Sequence, residues 1–172
     1  MKKREYYISA ADETTKIHTI EWFPESEPKA IFQVFHDMAE SMLHYEELAE
    51  FFTGRGFAII GNEPPAGNSS QRVQENIHTC LKMTKNKYPD VPHLLMGLSE
   101  EVHAVCSFLS KYSGIVEGAV LSGFEQKNQE AKDIPVLHIS GEEENRPELF
   151  RRICHWTEER LDEMLYRAAT KQ

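Results

Sequence analysis

Positive charge is scarce in this chain: 19 Lys and Arg stand against 28 Asp and Glu, for a formal net charge of −9. Such a surface repels phosphate, and no dense Lys/Arg stripe offsets it, so no nucleic-acid partner is expected. Long apolar runs are missing too, and no stretch approaches the ~18 apolar residues that a transmembrane segment requires. The basic start Met1-Lys2-Lys3-Arg4 resembles the first part of a signal peptide, yet Glu5-Tyr6-Tyr7-Ile8 follows instead of an apolar core. At the other end, Ala168-Ala169-Thr170-Lys171-Gln172 carries no lipidation signal. Cysteine is sparse. Cys80, Cys106 and Cys154 are scattered, odd in number and form no CxxC pair, which argues against a secreted disulfide framework. Cys80 and Cys106 fall in helical patterns, where a small buried hydrophobe is the ordinary reading. These absences together point to a cytoplasmic protein.

What is present is a globular composition. The 172 residues are 40% apolar and 27% charged, with ordinary glycine and proline content, and show neither disorder nor repeats. A chain of this length folds as one domain, residues 1–172, and buries roughly 70% of its unfolded surface.

The first 23 residues read as a hairpin, with Tyr6-Tyr7-Ile8 and the run from Ile17 to Trp22 separated by the turn chemistry of Ala11-Asp12-Glu13-Thr14. From there apolar runs alternate with helical patterns. Ala30 to Phe35 predicts a buried strand, and Met42 to Phe52 a helix closed by Gly54 and Gly56. Phe57 to Ile60 predicts a second core strand. A helix follows from near Gln71 to Lys87, stopped by Tyr88-Pro89-Asp90. His93 to Met96, Ala119 to Leu121 and Pro135 to Ile139 predict three further strands. Helices are expected over Glu100 to Lys111 and from Arg146 onward, with a polar linker over Glu125 to Lys132. Alternating strands and helices imply an α/β fold: a doubly wound, mostly parallel sheet with helices on both faces and an N-terminal antiparallel hairpin.

In such sheets ligands sit at the carboxyl ends of the strands, so the residues directly after each strand are the candidates. One group stands out. Leu94-Leu95-Met96-Gly97-Leu98-Ser99-Glu100-Glu101 reads as strand, sharp turn bearing serine, then helix, the context of a nucleophile elbow. Small residues are wanted two positions either side of that serine, because strand and helix backbones approach closely there. Gly97 meets the requirement and Glu101 does not. The bland alternative for Ser99 is a helix N-cap followed by an acidic first turn.

On these residues the chain resembles the α/β-hydrolase superfamily, and within it the monoacylglycerol lipase and lysophospholipase-like serine hydrolases. Trp22-Phe23-Pro24 and the segment Lys29 to Ser41, containing His36-Asp37-Met38, are similar to that family's W-x-P and H-G-x-x-E-H region. Met96-Gly97-Leu98-Ser99-Glu100-Glu101 falls where G-H-S-M-G is expected. The run from Ile134 to Glu142 resembles the strand that delivers the triad acid. The likeness covers roughly residues 5–144 in order. It implies Ser99 as nucleophile, Glu144 as the acid, and backbone amides of Met38 and Glu100 as the oxyanion hole. It implies no cofactor and no metal, and a small acyl ester as substrate.

The departures bear on activity. Asp37 puts a carboxylate beside the expected oxyanion, which raises the energy of that transition state. The family's R-H-E-M-L corresponds best to Leu161-Asp162-Glu163-Met164-Leu165, with Asp162 in the histidine slot, and an imidazole is the base that serine chemistry needs. His155 could substitute if its segment is a loop able to swing toward Ser99; a helix-face histidine beside Trp156 is the ordinary reading. His103, on the helix after the elbow, should point away, and His36 reads as structural. Residues 124–133 are too few for the family's helical cap. Glu75/His78 and Glu100/His103 match E-x-x-H, but a chain this rich in strands cannot supply the four long helices of a di-iron site. The expectation is a weakly active or inactive serine ester hydrolase. The alternative is a non-catalytic module that binds a protein partner or forms a homo-oligomer.

Overall fold

A computed structural model of the protein describes residues 1–35, 43–65, 67–99, 102–123, 133–140 and 146–171, with the backbone alone described at 43, 44, 99 and 113. Strand-forming sequence opens the chain. β1 (Lys2–Ser9) and β2 (Lys16–Phe23) form the expected hairpin, antiparallel, with Tyr7 opposite His18 and Ser9 opposite Lys16. The turn between them is built by Asp12, whose carboxylate accepts from the amides of Thr14 and Thr15 at 3.0 and 2.7 Å, the local bonding that makes Asp a turn residue.

Five parallel strands follow: β3 (Ile31–Phe35), β4 (Ala58–Glu63), β5 (His93–Ser99), β6 (Gly118–Gly123) and β7 (Val136–Ser140). Between them run the helices α1 (Leu43–Thr53), α2 (Ser70–Lys87) and α3 (Val102–Tyr112), and the chain closes with α4 (Arg146–Thr170). The sheet has the order β1-β2-β4-β3-β5-β6-β7. The mostly parallel, doubly wound α/β architecture is therefore observed, with the hairpin as its antiparallel flank. Several strands are longer than their apolar runs, β4 and β5 among them. β4 continues to Glu63 because β2 pairs with it from Ile59 onward, and β5 continues to Ser99 because β6 pairs with it that far. Pairing extended both strands beyond the residues whose hydrophobicity marked them.

Period-2 alternation sends successive residues to opposite faces. Phe32, Val34, Leu94, Met96, Trp22 and Ile59 form one core, covered by Leu48, Ala49 and Phe52 of α1 and Phe150, Ile153 and Cys154 of α4. Phe35, Leu95, Ile17, Ala119 and Leu121 form the other, under α2 and α3. Helices thus lie on both faces. The three cysteines are free and buried, as small hydrophobes. α1 stops at Gly54 and Gly56; the latter has φ +87°, a left-handed conformation that glycine adopts without penalty, and its amide bonds to the Thr53 carbonyl at 3.1 Å. α2 starts at Ser69, whose hydroxyl accepts from the Arg72 amide at 3.3 Å.

Candidate active site at the tips of the parallel strands

The order β4-β3-β5 means that the chain leaves β3 toward one side of the sheet and later returns on the other. The crevice beyond the carboxyl tips of β3 and β5 is the topological switch point, where ligands bind in open α/β sheets. β3 ends at Phe35, register partner of Gly97, and β5 runs two residues further to Ser99. The partner of Ser99 is Gly123, at φ +140°, a conformation that favours glycine. Ser99 therefore lies at the outermost paired position of a central strand, beside the switch point.

Gly97 lies two residues before Ser99, where a nucleophile elbow would demand a small residue. A Cβ there would stand 3.0 Å from Val105 Cγ2 and 3.4 Å from Leu121 Cδ2, so β5 and α3 approach as closely as glycine allows. Of the other candidates, Met38, Glu100 and Glu144 lie outside the described residues, as do His36, Asp37 and Glu101.

His155 is placed otherwise than its candidacy required. Its segment is not a loop but the middle of the 25-residue helix α4. The ring is 77% exposed, and its Nε2 lies 3.6 Å from Glu159 Oε1, one turn on. The neighbouring Phe150, Ile153, Cys154 and Thr157 occupy the buried face and fix the helix against the sheet, which leaves His155 pointing to solvent. Asp162, in the histidine slot by sequence, lies further along α4 near Asp90 and Pro92. Those two residues precede β5, so Asp162 is at the amino end of the strands, opposite Ser99. His103 is exposed on α3. Among the described residues no group of three His, Cys, Asp or Glu side chains is arranged to hold a metal ion.

The described rim holds one constellation that the sequence did not single out. His18, near the start of β2, faces Glu63 at the tip of β4. Its Nδ1 is 2.8 Å from Glu63 Oε2 and its Nε2 2.7 Å from Glu5 Oε1 on β1, with the Tyr7 ring stacked on it at 5.1 Å. Partial burial works against the imidazolium, but the hydrogen bonds and charges of Glu63 and Glu5 outweigh it and raise the pKa above that of an ordinary histidine. β2 stands three strand spacings from β5, roughly 14 Å, and both ring nitrogens are engaged. His18 is a fastener between hairpin and sheet rather than a base for Ser99. The hairpin register, Tyr7 with His18, was the signal that could have found it.

A second buried charge lies on the α2 side. Glu21, 2% exposed at its side chain, accepts from Lys87 Nζ at 2.9 and 3.1 Å and from the Tyr6 hydroxyl at 2.7 Å. Burial first, and the bond to Glu21 next, push the Tyr6 phenol well above its usual range.

No family model matches the chain. A monoacylglycerol lipase of Mycolicibacterium smegmatis is 23% identical over 112 residues, covering 59% of this chain and 40% of that protein. A thermostable carboxyl esterase from Bacillus coagulans superposes with a TM-score of 0.61 at 19% identity, over 71% of this chain and 44% of that one. A cold-adapted esterase from an Arctic intertidal metagenomic library gives 0.63 at 14% identity, over 79% and 70%. A Xanthomonas campestris serine hydrolase described as having no lid gives 0.62 at 10% identity, over 80% and 71%. The chain thus spans less than half the length of the lipase and of the thermostable esterase.

Proposed function

Because this chain has the α/β-hydrolase fold, with likeness to esterases and lipases, we propose that it is a serine ester hydrolase frame whose turnover is far below that of an intact triad enzyme. The observation that carries the reading is the placement of Ser99 at the switch point, with Gly97 against Val105, while the histidine proposed for it stands exposed on α4. Small acyl esters are the substrate class, a reading supported by the likeness to a lipase and to esterases. Ser99 attacks the ester carbonyl, the Met38 and Glu100 amides receive the oxyanion, and Glu144 supplies the acid of the constellation. With His155 on an exposed face of α4, no histidine among the described residues is assigned as the base, and the serine proton passes to water. Loss of the base costs on the order of a million-fold in a well-studied serine protease, and Asp37 adds repulsion at the oxyanion.

The test is covalent. A fluorophosphonate probe should label the wild type slowly, with Ser99→Ala abolishing the label. Nitrophenyl esters from acetate to octanoate should turn over only slightly above background. A folded protein that never labels rejects Ser99 as nucleophile. Turnover at ordinary esterase rates would show that a competent base is present and reject the low-activity reading.

A further inference from the structure

The amino end of the sheet, remote from Ser99, carries an open trough that ester chemistry does not use. α4 packs on the sheet through Phe150, Ile153 and Thr157, and its Trp156 reaches the first residue of β6, where a Cβ on Gly118 would stand 3.2 Å from Trp156 Cη2. The helix then runs on to Thr170. Among the described residues from Asp162 onward only Met164 is even partly buried, while Leu165 is 70% and Tyr166 71% exposed.

Between this overhang and the loop before β5 lies a cavity of about 680 Å³. Its floor is hydrocarbon, from Leu161, Met164, Leu165, Ala168 and Pro92. Each wall bears a carboxylate: Asp162 on the helix and Asp90 on the loop. Lys29 is also present, but its ammonium is committed to Glu158 at 3.5 Å. Asp162 and Asp90 have no cationic partner among the described residues. The stripe from Glu158 to Ala168 runs about 15 Å along the helix axis, and the exposure of Leu165 leaves the trough open along its length.

We infer that this trough docks a basic amphipathic helix of a partner protein. An open channel of this length with an apolar floor fits the apolar stripe of a helix of about three turns, the helix-in-groove mode. Carboxylates on both walls select lysine or arginine flanking that stripe, and the −9 charge of the chain steers such a segment toward it. A small apolar ligand is less well served, since Leu165 leaves one side of it in water.

The probe is a fluorescein-labelled 14-residue peptide of leucine and lysine in helical periodicity, titrated with the full chain and read by anisotropy. Binding should weaken at least ten-fold with Leu165→Glu and with the pair Asp90→Asn and Asp162→Asn. Glu13→Lys, a charge change of the same size on the distant hairpin turn, should leave it within two-fold. A scrambled peptide of the same composition should bind at least ten-fold more weakly. Equal binding of the scrambled peptide, or equal loss with Glu13→Lys, would reduce the effect to bulk charge and overturn the proposal. Self-association of the unliganded protein that Leu165→Glu abolishes would also overturn it, by assigning the face to a second copy. Circular dichroism of each variant, matched to the wild type, shows that the fold is intact.

Discussion

His18 and Glu63 are register partners on β2 and β4, and the imidazole Nδ1 of one lies 2.8 Å from a carboxylate oxygen of the other. Glu5 holds the second nitrogen at 2.7 Å, so the charged ring joins three strands. Protonated, it donates to both acids; neutral, it keeps one donor and faces a second carboxylate as a lone pair against a lone pair.

Stability should therefore follow pH with a definite sign. The folded pKa of His18 is raised, so the stabilisation is complete below the unfolded value of about 6.5 and is lost as pH rises through the folded value. Chemical denaturation of the wild type and His18→Gln should differ by about 1–2 kcal/mol near pH 6. The gap should narrow as the pH is raised through the folded value. A gap that widens with pH would mean that the imidazole is held neutral.

Glu21 and Lys87 form a buried-to-surface pair in which the two partners are not equivalent. Glu21 is 2% and Lys87 42% exposed. Lys87→Met strands the carboxylate and should cost about 3 kcal/mol, while the double change Lys87→Met with Glu21→Leu should recover part of that loss. Urea denaturation of the single and double variants measures both. Full additivity of the two losses would show that the pair is uncoupled.

Gly97→Ala tests the close approach behind Ser99. The added methyl meets Val105 at 3.0 Å and should cost about 1–3 kcal/mol by overpacking. Val105→Ala in the same chain should offset some of it. A melting temperature unmoved by Gly97→Ala would show that α3 shifts freely there.

His155→Ala should leave fluorophosphonate labelling at Ser99 unchanged, since the ring is on an exposed helix face and pairs with Glu159. Loss of labelling in this variant, with unchanged circular dichroism, would return His155 to the site.

Elements were legible because alternation and helical periodicity are local. The strands, the four helices, the glycine stop at Gly54 and Gly56, and the hairpin all follow from short-range pattern. Lateral order was not. Glu21 sits between Ile20 and Trp22, where alternation assigns it to water, yet α2 closes over that face and buries it. Nothing within a few residues of Glu21 announces Lys87, because the two are 66 positions apart. His18 and Glu63 met only through pairing across strands, by the same logic. For the catalytic candidates, the sequence located Ser99 near the carboxyl end of β5 but read it as a turn residue, whereas pairing with β6 makes it the last residue of the strand. It could not decide His155, because a motif does not reveal whether the following segment is loop or helix; burial of Phe150, Ile153 and Cys154 on one helical face did.

The outermost strand has a consequence for how this protein meets others. Along β1, Lys2, Lys3, Arg4 and Glu5 all face solvent, at one of the two borders of the described sheet, where a foreign strand could add itself through free backbone groups. Three consecutive cations followed by a carboxylate make such lateral growth costly. Strand addition is thereby disfavoured at that border.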